Sequence, residues 1–458
     1  MLGVYPERVH FVGIGGAGMS ALAEILHGHG HAVTGSDLRR TALTERLESL
    51  GIGVQYGHEP ALVTDAALVV YSSAVRHGNP ERRYAERHDI AVTRRAEMLG
   101  ELMRMHTSIG VAGTHGKTTT TSLIGHVLAH AGLDPTIVVG GTLRARESNA
   151  VIGRGGLLVA EADEYDRSFL SMHPLTAVIT NIEADHLDCY RDIDDIKSAF
   201  LKYARGVPAG GRIVACGDDR HARDVVSRID KTVITYGTEN DADYIARDLR
   251  VAQGRTLFTV ARRGAILGQA SIPLAGVHNV RNSLATVSVC CEMGISFDVV
   301  CGGLAGFAGI RRRFEPVGVC RGMTVIDDYA HHPTEIAATL AAARGLGFAR
   351  IIAVFQPHLY TRTRDFMDAF AQSLSAADVA VVTEIYKARE EGIAGVSGRG
   401  IVERMRAGRA PGAVFVETKE QAVDAVTATA RAGDGIVLMG AGDICDIGPK
   451  LLERFSHE

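Results

Sequence analysis

The chain has 458 residues, of which 46% are hydrophobic and 22% are charged, and its formal net charge is −4. This is the composition of a globular protein with room for about three domains. The sequence contains no Trp, no long basic run and no basic–aromatic stripe, so we exclude nucleic acid as a partner.

Targeting and redox features favour a cytoplasmic protein. Residues 1–11 lack the basic start and apolar core of a signal peptide, and no run of about 18 apolar residues is present. The seven cysteines contain no C-x-x-C pair, which argues against disulfides and structural zinc and favours a reducing compartment.

Short apolar strands alternate with amphipathic stretches, which predicts an α/β fold with largely parallel sheets. Three blocks are expected, 1–102, 103–309 and 310–458, and alternation over 256–274 predicts a small antiparallel sheet attached to the second block. We expect the first strand of the third block at Met323–Ile326. The other candidate strands are Val9–Val12, Leu68–Tyr71, Ile109–Ala112, Leu157–Ala160, Ala177–Thr180, Arg212–Ala215, Ile351–Phe355, Val379–Val382 and Ile436–Met439.

The first block opens with a glycine fingerprint. The strand Val9–Val12 leads into Gly13, Gly15 and Gly18, and Asp37 follows Gly18 by 19 residues. This G-x-G-x-x-G pattern predicts a Rossmann-like unit whose helix N-terminus binds a pyrophosphate. NAD and a UDP-sugar would both suit it, with Asp37 on a ribose hydroxyl or a uracil edge.

The second block opens with GTHGKTTTT at 113–121, between the strand Ile109–Ala112 and a helix predicted over 119–128. Backbone N–H groups at such a helix start bind phosphates, Lys117 would contact the outer phosphates, and Thr118 would offer its hydroxyl to Mg²⁺. The strict consensus has glycine where this chain has Val111, so the loop is a relative of the standard phosphate loop.

Acidic residues follow the next strands. Glu161 ends the strand Leu157–Ala160 and is expected to hold a metal ion beside Thr118, because chemistry collects at the carboxyl ends of parallel strands. We expect Asp163, Glu164 and Asp166 to lie in a solvated loop. His186 follows the strand Ala177–Thr180, and an imidazole ligand there would favour Mn²⁺ over Mg²⁺.

Taken together, these motifs resemble the Mur ligase family over the whole chain. The segments that carry the resemblance, in the family's order, are VGIGGAGMS, GTHGKTTTTS, EADEYDRSFL, TNIEADHLD, AGVHNVRNSLA, RRRFEPVG, DDYAHHPTE, FQPHLYTRTR and MGAGDI. The resemblance implies a Rossmann-like N-terminal domain for a UDP-sugar, a central phosphate-loop ATPase domain and a Rossmann-like C-terminal domain for an amino acid.

The resemblance also implies a reaction. ATP would phosphorylate the lactoyl carboxylate of UDP-N-acetylmuramate, and the amino group of L-alanine would attack the acyl phosphate in a step of peptidoglycan precursor synthesis. The cofactors implied are ATP and two Mg²⁺ ions, with Mn²⁺ as an alternative. The only partners implied are these small-molecule substrates, and the chain would be a monomer or a weak homodimer.

The family's site residues map onto this sequence as expectations. Those expected at the UDP-sugar are Gly13, Gly15, Gly16, Ala17, Gly18, Asp37, Ser72 and Ser73. Those expected at ATP are Gly113, Thr114, His115, Gly116, Lys117, Thr118, Thr119, Asn279, Asn282 and Arg312. Metal ions would be held by Thr118, Glu161 and His186, and the residues expected to act in catalysis are Lys117, Glu161, His186, Arg313, Asp328 and His332.

L-Alanine is expected to contact Tyr329, His358 and Arg362. Some family members carry a basic residue directly after the histidine of FQPH, where this chain has Leu359, so Arg362 is the first choice for the alanine carboxylate. The base that takes the amine proton is left open between His332, Asp328 and water.

Three other functions are compatible with parts of the sequence. A ligase that attaches a recycled tripeptide to the same sugar shares most motifs, although the glycine-rich VGIGGAGMS favours the alanine enzyme. An NAD-dependent dehydrogenase would explain residues 9–37 and leave GTHGKTTTT and DDYAHHP without a role. An ATP-binding switch protein would use the phosphate loop without ligase chemistry.

Overall fold

The computed structural model describes residues 6–72, 74–143, 148–252, 254–388, 390–408 and 412–457. Two compact units are present: the first comprises 1–248, 259–270 and 281–308, and the second comprises 249–258, 271–280 and 309–458. Within the described ranges no helix is long and apolar enough to cross a membrane. The seven cysteines all lie in these ranges and none forms a disulfide.

The N-terminal sheet is parallel and has the Rossmann strand order β3-β2-β1-β4-β5. Its strands are β1 Arg8–Val12, β2 Ala32–Asp37, β3 Gly53–Tyr56, β4 Leu68–Tyr71 and β5 Ala91–Arg94, and its helices are α1 Ala17–Gly28, α2 Ala42–Ser49, α3 Pro80–Arg87 and α4 Arg95–Arg104. Alternate residues of β1 enter different cores, since Phe11 packs in one cluster and Val12 in another. The predicted Rossmann-like unit is therefore confirmed.

The central sheet has ten strands in the order β15-β14-β13-β12-β11-β10-β6-β9-β7-β8. The strands are β6 Thr107–Ala112, β7 Thr136–Leu143, β8 Ser148–Val151, β9 Leu157–Glu161, β10 Thr176–Ile179, β11 Arg212–Cys216, β12 Thr232–Gly237, β13 Tyr244–Ala252, β14 Arg255–Arg262 and β15 Ala265–Ile272. The helices are α5 Lys117–His130, α6 Ile193–Arg205, α7 Arg220–Val226, α8 Val277–Glu292 and α9 Phe297–Ala305.

Parallel pairing of β6 with β9 and β10 brings three strand ends to one edge. Val111 lies opposite Glu161, and Ala112 lies opposite Ile179. At the far edge, β14 and β15 are neighbours joined by Arg263 and Gly264, both at positive φ, which is the geometry of a two-residue antiparallel hairpin. The predicted antiparallel strands are present, and they extend the central sheet rather than forming a separate one.

The third sheet has the order β16-β17-β21-β18-β19-β20 and is parallel except for the β16–β17 pair. Its strands are β16 Glu315–Cys320, β17 Met323–Asp328, β18 Ile351–Phe355, β19 Val379–Val382, β20 Ala413–Phe415 and β21 Gly435–Met439. Its helices are α10 Pro333–Gly345, α11 Tyr360–Asp365, α12 Met367–Leu374, α13 Gly398–Ala407, α14 Lys419–Thr429 and α15 Ile447–His457.

The prediction that Met323–Ile326 is the first strand of this block was wrong, because β16 precedes it. The edge strand β16 contains Pro316 and has only one buried residue, Glu315, so it lacks the apolar run of a central strand. A turn through Arg321 and Gly322, both at positive φ, joins β16 to β17.

Within the first unit, helices of the N-terminal sheet pack closely against the central sheet's elements. Asn149 on β8 donates from Nδ2 to the Ala17 carbonyl and, at 3.3 Å, to Ser20 Oγ on α1. A Cβ at Gly28 would lie 2.7 Å from Ile152 Cδ1, and a Cβ at Gly100 on α4 would overlap the Ser171 carbonyl oxygen. Small residues on α1 and α4 therefore allow this close approach.

Gly100→Ala is expected to destabilise the chain by about 1–3 kcal/mol, because the added methyl group collides with backbone that cannot rotate away. Gly345→Ala, at the end of α10, is the matched control. No atom lies within 4 Å of its added Cβ, so it is expected to be neutral or stabilising by up to about 1 kcal/mol. Thermal unfolding followed by circular dichroism measures both, and equal melting temperatures would contradict the packing argument.

Candidate active site

The glycine loop after β1 is held by Asp37 at the end of β2. The Gly15 amide donates to Asp37 Oδ2 at 2.8 Å, and the Arg39 amide donates to Oδ1 at 3.2 Å. Gly13 has φ +78°, and a side chain at Gly15 would collide with Asp37 and Thr44. Asp37 thus shapes the loop, and its predicted contact with a ribose or uracil stays a prediction.

The other residues predicted for the UDP-sugar converge on the same loop. Gly16 precedes α1, which begins at Ala17, and the Ser72 hydroxyl lies 3.7 Å from the position of a Cβ on Gly13. Gly18 packs against Arg95 of α4. A Cβ atom added to Gly18 would lie 2.8 Å from Arg95 Nη1. Ser73 lies outside the described residues.

A buried carboxylate behind this loop was missed by sequence reasoning. Glu81 Oε2 accepts from Ser36 at 2.7 Å and lies 3.3 Å from His10 Nε2, while Oε1 lies 3.3 Å from His58 Nδ1. Burial raises the pKa of Glu81, but the hydrogen bonds from His10 and Ser36 outweigh it and hold the pKa below its usual range. The one feature of the sequence that pointed to a buried polar network here was His10, a histidine inside an apolar strand.

The phosphate loop between β6 and α5 depends on two glycines. Gly113 has φ +143° and a Cβ there would overlap Thr180 Oγ1, whereas Gly116 has φ +83° and a Cβ there would lie 2.7 Å from Asn282 Oδ1. Both positions are therefore closed to larger residues. Helix α5 starts at Lys117, so its unpaired N–H groups open into the loop as predicted.

The segment after β10 braces this loop from the side. Asn181 accepts from the His115 amide at 2.8 Å and donates to the His115 carbonyl at 2.9 Å. The Glu183 amide donates to Thr114 Oγ1 at 2.9 Å, and His115 Nε2 lies 3.3 Å from Glu183 Oε2. These bonds hold Thr114 and His115, two of the residues predicted to contact ATP.

Lys117 is paired with Glu164, which corrects one expectation. Lys117 Nζ lies 2.8 Å from Glu164 Oε2 and 3.0 Å from Oε1, and Glu164 is only 2% exposed rather than solvated. Burial opposes the charge on Lys117, but the carboxylates of Glu164 and Asp163 outweigh it and raise the pKa of Lys117. Burial likewise raises the pKa of Glu164, and the charge of Lys117 outweighs it. Asp166 is exposed, as expected.

Thr118 and Glu161 come together as the sequence predicts. The Thr118 side chain lies close enough to Glu161 to influence its pKa, and the Gly140 amide donates to Glu161 Oε1 at 2.7 Å. Burial raises the pKa of Glu161, although the Gly140 amide, the charge of Lys117 and the nearby Thr118 hydroxyl act against it. A hydroxyl beside a buried carboxylate at a phosphate-loop helix is the oxygen donor set that Mg²⁺ prefers.

His186 faces Glu164 rather than solvent. Its Nε2 lies 3.6 Å from Glu164 Oε1 and 3.9 Å from Asp185 Oδ2, and its backbone has φ +53°, a strained conformation for histidine. Burial lowers the pKa of His186, but the neighbouring carboxylates of Glu164 and Asp185 outweigh it and raise the pKa. Ligand atoms of Asp163, Glu164 and His186 lie within 4.8 Å of one another, close enough to hold one cation.

The two asparagines predicted for adenine lie near the start of α8. Asn282 Oδ1 accepts from Thr120 at 3.2 Å, which places it over the first turn of α5. Asn279 donates to the Ala275 carbonyl at 2.7 Å and lies 3.1 Å from His278 Nε2. Asn282 therefore borders the phosphate loop, and the adenine contacts of both residues stay predictions.

In the second unit, Tyr329 lies between two arginines. The Arg312 and Arg313 guanidinium carbons lie 4.9 and 5.2 Å from the Tyr329 ring centre. Arg312 also donates to the Gly440 carbonyl at 2.6 Å and lies 3.4 Å from Asp327 Oδ2. Cation–π contacts and a carboxylate thus hold both arginines in place.

Asp328 is the last residue of β17, and His332 follows this strand by four residues. Asp328 Oδ2 accepts from the Phe314 amide at 2.7 Å and Oδ1 accepts from the Ala330 amide at 2.8 Å. Burial raises the pKa of Asp328 to about 6 even though Arg313 and these amides lower it. His332 caps α10, where its Nδ1 accepts from the Thr334 amide at 3.4 Å.

His358 and Arg362 lie after β18. The His358 and Tyr386 rings are nearly parallel with centroids 5.8 Å apart, and Arg362 on α11 is 8% exposed. Leu359 is the position at which this chain departs from the family motif. Its backbone has φ +70° and ψ 136°, an uncommon conformation for a residue with a side chain. Arg362 is a buried arginine rather than a surface charge, and its contact with the alanine carboxylate stays a prediction.

These features define a multidomain α/β enzyme with a phosphate loop in its central sheet. In the N-terminal sheet and in the third sheet, the residues predicted to bind substrates lie at or after the carboxyl ends of the strands. Three family models match the chain: "Mur ligase family, catalytic domain" over 8–107, "Mur ligase middle domain" over 111–290, and "Mur ligase, glutamate ligase domain" over 312–442. The chain belongs to the Mur ligase family.

Individual relatives agree over the full length. The UDP-N-acetylmuramate–L-alanine ligase of Salinibacter ruber is 49% identical over 99% of this chain and 96% of its own. The crystal structure of UDP-N-acetylmuramate-alanine ligase from Thermotoga maritima is 29% identical, with a TM-score of 0.82 over 98% of this chain and 99% of that one. A murein peptide ligase from Psychrobacter arcticus is 27% identical, with a TM-score of 0.69 over 98% and 99%.

Proposed function

We propose that this chain is an ATP-dependent ligase that joins L-alanine to the lactoyl carboxylate of UDP-N-acetylmuramate through an acyl phosphate, in cytoplasmic peptidoglycan precursor synthesis. The observation that carries the proposal is the grouping of Lys117, Thr118 and Glu161 at one edge of the central sheet. The names of the full-length relatives supply the substrates. Residues 1–102, 103–309 and 310–458 are the proposed UDP-sugar, ATP and amino-acid domains.

The central domain would activate the carboxylate. A carboxylate is a poor electrophile because oxide would have to leave, and phosphorylation replaces oxide with phosphate. Phosphoryl transfer needs alignment and charge neutralisation more than covalent help. The N–H groups at the start of α5 and Lys117 would bind the phosphates, and Thr118 and Glu161 would hold one Mg²⁺, with His186 at a second. Bound Mg²⁺ supplies charge neutralisation for the transferred phosphoryl group.

The other two domains would position the substrates. The glycine loop shaped by Asp37 would bind the UDP pyrophosphate at the N-terminus of α1. Arg362 would pair with the alanine carboxylate, and Arg312 and Arg313, held by Tyr329, would face phosphate charge. Both Asp328 oxygens accept backbone N–H groups and so hold the 312–314 turn, and the base that takes the amine proton is left open between His332, Asp328 and water.

Phosphate release is expected only when UDP-N-acetylmuramate, L-alanine, ATP and Mg²⁺ are all present, and Lys117→Ala is expected to abolish it, because the cation that contacts the transferred phosphoryl group is removed. A coupled phosphate assay with each component omitted in turn measures this. Near-normal turnover of the variant would overturn the phosphate-loop assignment, and no release with all components would favour a nucleotide switch. Tight NADH binding would favour a dehydrogenase.

Competition separates the two ligase functions. In a mixture of L-alanine and L-Ala-γ-D-Glu-diaminopimelate with UDP-N-acetylmuramate, we expect the alanine product to dominate. Mass spectrometry of the UDP-linked products gives the ratio directly. A dominant tripeptide product would assign the chain to peptide recycling instead.

Arg362→Met is expected to raise the KM for L-alanine by about 100-fold with little change in the KM for ATP, because a bidentate partner of the carboxylate is lost. Arg364→Met on the same helix is the matched control. Arg364 is exposed and pairs with Asp365 at 2.7 Å, so its loss should leave both KM values unchanged. Equal effects from the two variants would remove Arg362 from the amino-acid site.

A further inference from the structure

Every proton of the Lys117 ammonium is already engaged. Nζ donates to the Gly113 carbonyl at 2.7 Å, to Glu164 Oε2 at 2.8 Å and Oε1 at 3.0 Å, and to the Thr114 carbonyl at 3.3 Å. An ammonium has three donors, and here four acceptors share them. A nucleotide phosphate that is to contact Lys117 must therefore displace one of these acceptors.

Glu164 is the acceptor that can be displaced. The two carbonyls belong to the phosphate loop itself, which Thr180, Asn181 and Glu183 brace, whereas the Glu164 carboxylate stands on a side chain. A phosphate would also repel this carboxylate, since both are anions.

Glu164 has an alternative partner when it leaves Lys117. His186 Nε2 lies 3.6 Å from Glu164 Oε1, so the carboxylate keeps a polar neighbour instead of becoming an isolated buried charge. The Tyr190 hydroxyl donates to the Glu164 backbone carbonyl at 2.7 Å and fixes the backbone during such a movement. A rotation of the side chain is then sufficient.

We propose that Glu164 is an internal competitor of the nucleotide: it neutralises Lys117 in the nucleotide-free enzyme and is exchanged for phosphate when the nucleotide binds. This inference rests on the proposed assignment of ATP to the 113–118 loop. Its consequence is selectivity for charge. A ligand gains the contact with Lys117 only if its phosphates outcompete a buried carboxylate, so the exchange weakens every nucleotide whose phosphate reaches Lys117 and does not affect a ligand without phosphate.

The test is a thermodynamic cycle on the full-length chain, with MgADP binding measured by calorimetry. Glu164→Gln keeps the size of the side chain and one of its two acceptor oxygens and removes the competing charge, so it is expected to tighten MgADP binding about 10-fold or more. In a Lys117→Ala background the same substitution is expected to change the affinity less than about 2-fold, because no cation remains to be released. Adenosine, which has no phosphate, should bind equally to the wild type and to Glu164→Gln.

Two results would overturn the exchange. Unchanged or weaker MgADP binding by Glu164→Gln would show that Glu164 does not compete, and an equal gain in the Lys117→Ala background would show simple charge repulsion. If the wild type binds no nucleotide at all, that result contradicts the proposed function itself, and with it the exchange. Asp166→Asn is the matched control, since Asp166 is an exposed acid of the same loop at φ +52°, which asparagine tolerates, and no effect is expected.

Thermal unfolding of Glu164→Gln checks its fold. If this variant does not fold, Glu164→Asp takes its place in the cycle, because the shorter side chain retains the charge and draws it away from Lys117. A tightening smaller than 10-fold, again dependent on Lys117, is the expected result for Glu164→Asp. No tightening would overturn the proposal.

Discussion

The buried charge of Lys117 is the constraint on which the central site depends. A lysine ammonium at the start of α5 is stable only with acceptors around it, and the loop carbonyls of Gly113 and Thr114 and the Glu164 carboxylate provide them. That requirement explains why the acidic segment after β9 folds back into the site instead of extending into solvent.

The parts of the fold that were predicted from sequence are those with strong local signals. The first glycine loop and the phosphate loop each lie between an apolar strand and a helix, and the structure has both where the pattern placed them. Thr118 and Glu161 were also paired correctly, since parallel strands deliver their carboxyl ends to one edge. These inferences needed only the periodicity and the rule for parallel sheets.

The parts that were missed depend on contacts between distant residues. EADEYD reads as a solvated acidic run, and only Lys117, 47 positions earlier, makes Glu164 a buried ion-pair partner. The Glu81 network joins residues 71 positions apart, and Glu81 itself lies in no motif. The edge strand β16 has a proline and little burial, so its pairing with β17, not its own composition, makes it a strand.

The antiparallel strands β7 and β8 contact elements next to both glycine-rich loops of the first unit, the loop after β1 and the phosphate loop after β6. On one side Asn149 of β8 holds the first turn of α1, and on the other the Gly140 amide of β7 holds Glu161. Helix α1 and the carboxylate beside Thr118 are therefore both held by the same pair of strands. The N-terminal and central folds consequently share this pair of strands as a common support.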